Sequence, residues 1–114
     1  MKTALIVEDD FLIAMELEDI LGEMGFEVQG TSPTEDEAVT DALIGRPDLM
    51  LVDYRLAAGT GLGAIARLAG TFTPAVVFVS ANIEEILRQR PSAVCVSKPF
   101  DKRQIMSAVS SVLD

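Results

Sequence analysis

Three carboxylates stand in a row at Glu8-Asp9-Asp10, a fourth at Asp53, a hydroxyl at Ser80 and an amine at Lys98. Glu8, Asp53 and Ser80 directly close runs of apolar residues, at 4–7, 49–52 and 75–79, and Lys98 follows the run 93–96 after Ser97. Carboxylates gathered about a further acid suit a hard divalent cation, and Mg²⁺ takes few protein carboxylates with waters completing its shell. Such a cation would let a phosphoryl oxygen come up to Asp53, with Lys98 and Ser80 on the other oxygens. The chemistry indicated is metal-assisted phosphoryl transfer. The chain has no His, which removes Ser-His and Cys-His nucleophile systems and most zinc sites. The turn after the first apolar run is acidic and lacks Gly, whereas nucleotide-binding folds put Gly-rich backbone there so that amides meet phosphate. Taken singly, each group is an ordinary loop residue: Asp10 could be a first-turn charge on a helix dipole, Ser80 a helix-cap neighbour, Lys98 a surface lysine. Their weight comes from standing together on one edge of one sheet.

The elements that must place them follow from periodicity. Residues 3–8 read as a first strand ending in acid. Ile13, Leu17, Ile20, Leu21 and Met24 form a helical stripe, with Gly25 as its stop. A weaker strand is expected at 26–28. Ser32-Pro33-Thr34-Glu35 fits a capping box with Pro at the first helical position, and Ala38, Val39, Ala42 and Leu43 give that helix its apolar face before Gly45-Arg46-Pro47 ends it. The central strand, 48–53, holds four apolar residues between two Asp, the mark of a strand covered on both faces. A third stripe carries Leu62, Ile65, Leu68 and Ala69 and closes at Gly70. The fourth strand, 75–79, ends at Ser80. Asn82 can cap a short helix with Ile83, Ile86 and Leu87, which Pro91 cuts off. A fifth strand is expected at 93–97, and Asp101 caps a last helix with Ile105, Val109 and Val112 inward. Five strands alternating with five helices imply a three-layer α/β domain, a flavodoxin-like doubly wound (βα)5 fold with a parallel sheet in the order 2-1-3-4-5. Open sheets of this kind carry their functional groups at the carboxyl ends of the strands.

Composition narrows the setting. At 114 residues, 49% hydrophobic and 24% charged, the chain reads as one soluble globular domain over residues 1–114. A net charge of −9 argues against direct nucleic-acid binding, which needs a basic face. No apolar stretch approaches the roughly 20 residues of a membrane span, and a signal peptide is not evident. A single Cys excludes an internal disulfide, so a cytoplasmic setting is expected.

Val-Glu-Asp-Asp at 7–10, Pro-Asp-Leu-Met-Leu-Val-Asp-Tyr-Arg-Leu at 47–56 with Gly61 beyond, Val-Ser-Ala at 79–81 and Ser-Lys-Pro-Phe at 97–100 together resemble a response-regulator receiver domain over the whole chain. The resemblance implies that Asp53 accepts the phosphoryl group and that Mg²⁺ (or Mn²⁺) lies on Glu8, Asp9, Asp53 and the Arg55 backbone carbonyl, Asp9 directly and Glu8 through water. It implies that Ser80 follows the phosphate, that Lys98 pairs with it, and that Lys98-Pro99 is cis. The donor would be a phosphohistidine on a sensor histidine kinase or histidine phosphotransfer protein, since this chain has no His. The expected protein is a stand-alone receiver, monomer or weak homodimer, acting on an unknown downstream protein or as a phosphate sink. The alternative is a pseudo-receiver or flavodoxin-like module that binds a cation or partner without phosphorylation. Three positions depart from the family pattern. Cys95 stands where an aromatic that swings inward is usual, the interval from Ser80 to Lys98 is short, and Ala57 replaces a common Pro. Cys95 is expected to be a small buried strand residue, and switching is expected in the loops 54–60 and 80–92.

Overall fold

The continuous apolar run at the middle of the chain is the central strand, and all four of its residues are buried. The computed structural model describes residues 1–113; the expected domain end at Asp114 lies outside them. Strands β1 (Thr3–Val7), β2 (Glu27–Ser32), β3 (Leu49–Val52), β4 (Ala75–Ser80) and β5 (Cys95–Ser97) alternate with helices α1 (Phe11–Glu23), α2 (Glu35–Gly45), α3 (Gly61–Leu68), α4 (Ile83–Gln89) and α5 (Lys102–Leu113). The sheet is parallel throughout, in the order β2-β1-β3-β4-β5.

Successive strand residues point to opposite faces, and the core divides accordingly. Ala4, Ile6, Leu49 and Leu51 meet α1 and α5 through Leu17, Leu21, Ile105 and Val109. Leu5, Val7, Met50 and Val52 meet α2, α3 and α4 through Ala38, Ala42, Ile65 and Ile86. Burying one such aliphatic side chain contributes about 1.5–3 kcal/mol, so both faces of β3 hold it in place.

Asp10 caps α1: its Oδ1 accepts from the Leu12 N–H at 3.0 Å and the Ile13 N–H at 3.2 Å. Asp101 and Gln104 cap α5 reciprocally, each backbone N–H donating to the other's side chain at 2.8 Å. The Lys98–Pro99 peptide is cis.

Several boundaries differ from the sequence reading. β1 stops at Val7, one residue short of Glu8. β2 runs over 27–32 rather than 26–28, and Phe26 is a buried residue just before it. It is an edge strand with exposed polar residues, so no apolar run announces it. A bulge at Gln29 shifts its register against β1, Val28 pairing with Ala4 and Gly30 with Leu5. The cap of α2 is Thr34, whose hydroxyl accepts from the Glu37 N–H at 3.1 Å, not Ser32, and Pro33 lies before the helix. Ser32 ends β2 fully buried, with its hydroxyl donating to Asp41 at 2.7 Å. Thr34-Glu35-Asp36-Glu37 has the same box spacing two residues on, and backbone pairing of β2 decides between the two.

The alanines of α2 face the sheet, so Leu43, about 100° further round the helix, is exposed. Ala69 likewise falls outside α3 and is exposed. Asn82 makes no side-chain cap. Among the described residues of α4 only Ile86 is buried, with Leu87 exposed. β5 is shorter than expected because Ala93 belongs to a turn, its N–H donating to the Arg90 carbonyl at 3.0 Å.

Candidate functional site

Sheet pairing brings the acids together. The Asp53 N–H donates to the Val7 carbonyl at 2.9 Å, which sets the end of β3 beside the end of β1. The Lys98 N–H donates to the Ser80 carbonyl at 3.1 Å, which does the same for β5 and β4. From that anchor the Lys98 ammonium reaches across the sheet edge, with Nζ 2.7 Å from Glu8 Oε1 and 2.8 Å from Asp53 Oδ2. Both carboxylates are buried, at 2% and 7% exposure, so this pair of contacts is shielded from water and screened little. The second oxygens are also held: Glu8 Oε2 accepts from the Asp10 N–H at 3.1 Å, and Asp53 Oδ1 from the Tyr54 N–H at 2.7 Å.

Asp9 is exposed beside them. Oxygens of Glu8, Asp9 and Asp53 lie within 4.8 Å of one another. A cluster made only of carboxylate oxygens at this spacing suits a hard divalent cation of the Mg²⁺ type. Burial pushes the Glu8 carboxyl up to about 7, and the neighbouring Asp53 charge adds to that, while the Lys98 and Asp10 hydrogen bonds oppose it. Burial also works against the Lys98 charge, but the hydrogen bonds it donates to Asp53 and Glu8 outweigh it and leave the amine above its ordinary value.

The structure therefore gathers four of the predicted side chains, Glu8, Asp9, Asp53 and Lys98. Ser80 is at the same edge and fully buried, but its Oγ accepts from the Asn82 N–H at 3.0 Å. Arg55 is exposed in the loop after β3 and forms an antiparallel bridge with Thr60. That loop closes on itself where the Gly61 N–H donates to the Tyr54 carbonyl at 2.8 Å. It is also stitched to the segment before α2: the Ala57 N–H donates to the Pro33 carbonyl at 3.0 Å, and the Glu35 N–H to the Ala58 carbonyl at 2.9 Å. Gly59 turns the loop at φ +76°. A side chain at Gly61 would run into the Asp53 backbone. Gly59 completes the turn that the Arg55–Thr60 bridge closes. Cys95 is half-buried against the α3–α4 side of the core, and burial pushes its thiol up.

Comparison with known proteins gives a family and a fold. The family described as "Response regulator receiver domain" matches residues 4–110. The chain is similar to the phyllosphere-induced regulator PhyR of Methylorubrum extorquens, 40% identical over 113 residues, covering 96% of this chain and 42% of that protein. It is 29% identical over 112 residues to the transcriptional regulatory protein PdtaR of Mycobacterium tuberculosis, covering 95% of this chain and 55% of that protein. It thus spans about half, or less, of the length of these curated relatives. Among solved structures, the receiver domain of Erythrobacter litoralis PhyR superposes with a TM-score of 0.90 at 31% identity, covering 98% of this chain and 89% of that one.

Proposed function

The chain belongs to the response-regulator receiver domains, and on that premise we propose that Asp53 accepts a phosphoryl group from a phosphohistidine carried by a partner protein. An Asp53 oxygen displaces the donor imidazole from phosphorus; the P–N bond breaks and a P–O bond forms, giving an acyl phosphate. The observation that carries this reading is the Lys98 ammonium, 2.7 Å from Glu8 and 2.8 Å from Asp53 at the strand ends. Lys98 moves from Asp53 to a phosphoryl oxygen, exchanging one charge-assisted hydrogen bond for another. Ser80 turns from the Asn82 amide toward the same group. Glu8, Asp9, Asp53 and the Arg55 carbonyl would hold Mg²⁺ or Mn²⁺. When bound, the cation supplies charge neutralisation and a template for the incoming oxygens. The donor is a sensor histidine kinase or a histidine phosphotransfer protein, because the chain has no His. Output passes through contacts with a further protein.

Incubation with acetyl phosphate and Mg²⁺ should raise the intact mass by a single phosphoryl group, and Asp53→Asn should abolish the rise. An unchanged rise in that variant sinks the assignment. A wild-type chain that binds Mg²⁺ but never gains mass is a pseudo-receiver instead.

A further inference from the structure

We infer that Glu35 is a positioning residue for the loop that follows Asp53: its carboxylate holds the Thr60 amide and so fixes the backbone from Arg55 to Thr60. A Glu at the first position of a helix usually serves the helix's own free amides. Glu35 turns away from that task. Its Oε1 accepts from the Thr60 N–H at 2.9 Å, 25 residues along the chain. Its Oε2 accepts from Arg67 at 3.2 Å, and the same Arg67 nitrogen donates to Asp36 at 2.7 Å. The side chain is 23% exposed. Two glycines make the approach possible. A Cβ on Gly59 would come within 2.5 Å of the Glu35 Cβ, and one on Gly63 would run into the Glu35 carboxylate.

The connection continues to the acid. Thr60 is bridged to Arg55, Gly61 donates to the Tyr54 carbonyl, and Tyr54 donates to Asp53 Oδ1. Thr60 also caps α3, its hydroxyl accepting from the Gly63 N–H at 3.0 Å. One carboxylate on α2 therefore ties the loop, the α3 cap and, through Arg67, the α3 surface into a single unit. The inference rests on the phosphoacceptor reading of Asp53 and deepens it, because this loop carries the Arg55 carbonyl expected at the cation.

The test compares wild type, Glu35→Ala and Glu35→Gln by two readouts. The first is amide exchange at 57–61 in the cation-free protein, with β1 and β3 amides as the control that the fold stands. The second is Mg²⁺ titration followed by Tyr54 fluorescence, clean because the chain has one Tyr and no Trp. Glu35→Ala should lose protection at Thr60 and raise half-saturating Mg²⁺ by about tenfold, the usual scale for losing an outer-shell partner. Glu35→Gln still offers an oxygen to the Thr60 amide and should keep most of both. Unchanged protection and titration in Glu35→Ala overturn the inference, and so does Glu35→Gln losing as much as Glu35→Ala. A wild type with no saturable Mg²⁺ response refutes the phosphoacceptor reading instead, and exchange at Thr60 still decides the clamp.

Discussion

Glu8 is the residue whose chemistry depends most on its surroundings. Burial above all raises its carboxyl from 4.5 to about 7. A raised folded value means that the proton is held more tightly folded than unfolded. The contribution to stability is complete below 4.5 and is lost as pH rises through about 7. Thermal melts in chelator should therefore show the melting temperature falling across that window, and Glu8→Gln should flatten the slope. An equal slope in Glu8→Gln would place the titration elsewhere. That Glu8, Asp9, Asp53 and Lys98 would meet was legible, because each stands at or just beyond the carboxyl end of a largely apolar strand and parallel pairing aligns strand ends. The direction of the Ser80 hydroxyl was not legible, since a backbone amide two residues on claims it. Nor was Glu35, whose partner is 25 residues away.

At the scale of elements, the two segments flanking the phosphoacceptor differ in how they are held. The 54–60 loop has backbone bonds to the α2 entrance and the Glu35 carboxylate. The 80–92 segment contains α4, seven residues long with Ile86 as its buried residue. A helix of that length has little stability of its own, and few buried contacts mean cheap local opening. With Cys95 in β5 that position carries no large ring to swing. A beryllofluoride mimic on Asp53 should change hydrogen exchange at 54–60 and more strongly at 80–92, with little change in β5. A shift centred on Cys95, joined to loss of partner binding in Cys95→Ala without loss of phosphorylation, would make that residue the switch. Helices were read well where a wide apolar stripe exists, as in α1 and α5. In α2 the alanines Ala38 and Ala42 were placed on the buried face as the structure has them, and only Leu43 was wrongly added to it, because a narrow Ala-lined face leaves little pattern to fix its edge.

For the molecule as a whole, folding forces carboxylates together at one edge of the sheet. A cation that binds only the folded form at 100 times its dissociation constant adds about 2.7 kcal/mol. In a domain of this size each kcal/mol moves the melting temperature by several degrees, about 4–8 °C at 60–100 residues. Melts in Mg²⁺ against Na⁺ at matched ionic strength should show the gain, and Asp9→Ala should lose it; an equal gain there would put the cation elsewhere. Among the described residues no helix is long and apolar enough to cross a membrane. The bulge in β2 has a further consequence. Unpaired strand edges are templates on which copies of a chain can stack into a continuous sheet. Here the β2 rim is broken by the bulge at Gln29, whose side-chain Nε2 donates to the Gly45 carbonyl at 2.9 Å, and the opposite rim, β5, is three residues long. A chain meeting its own copy thus finds a kinked, polar border on one side and only three residues of edge on the other, which leaves little continuous backbone for sheet-to-sheet stacking.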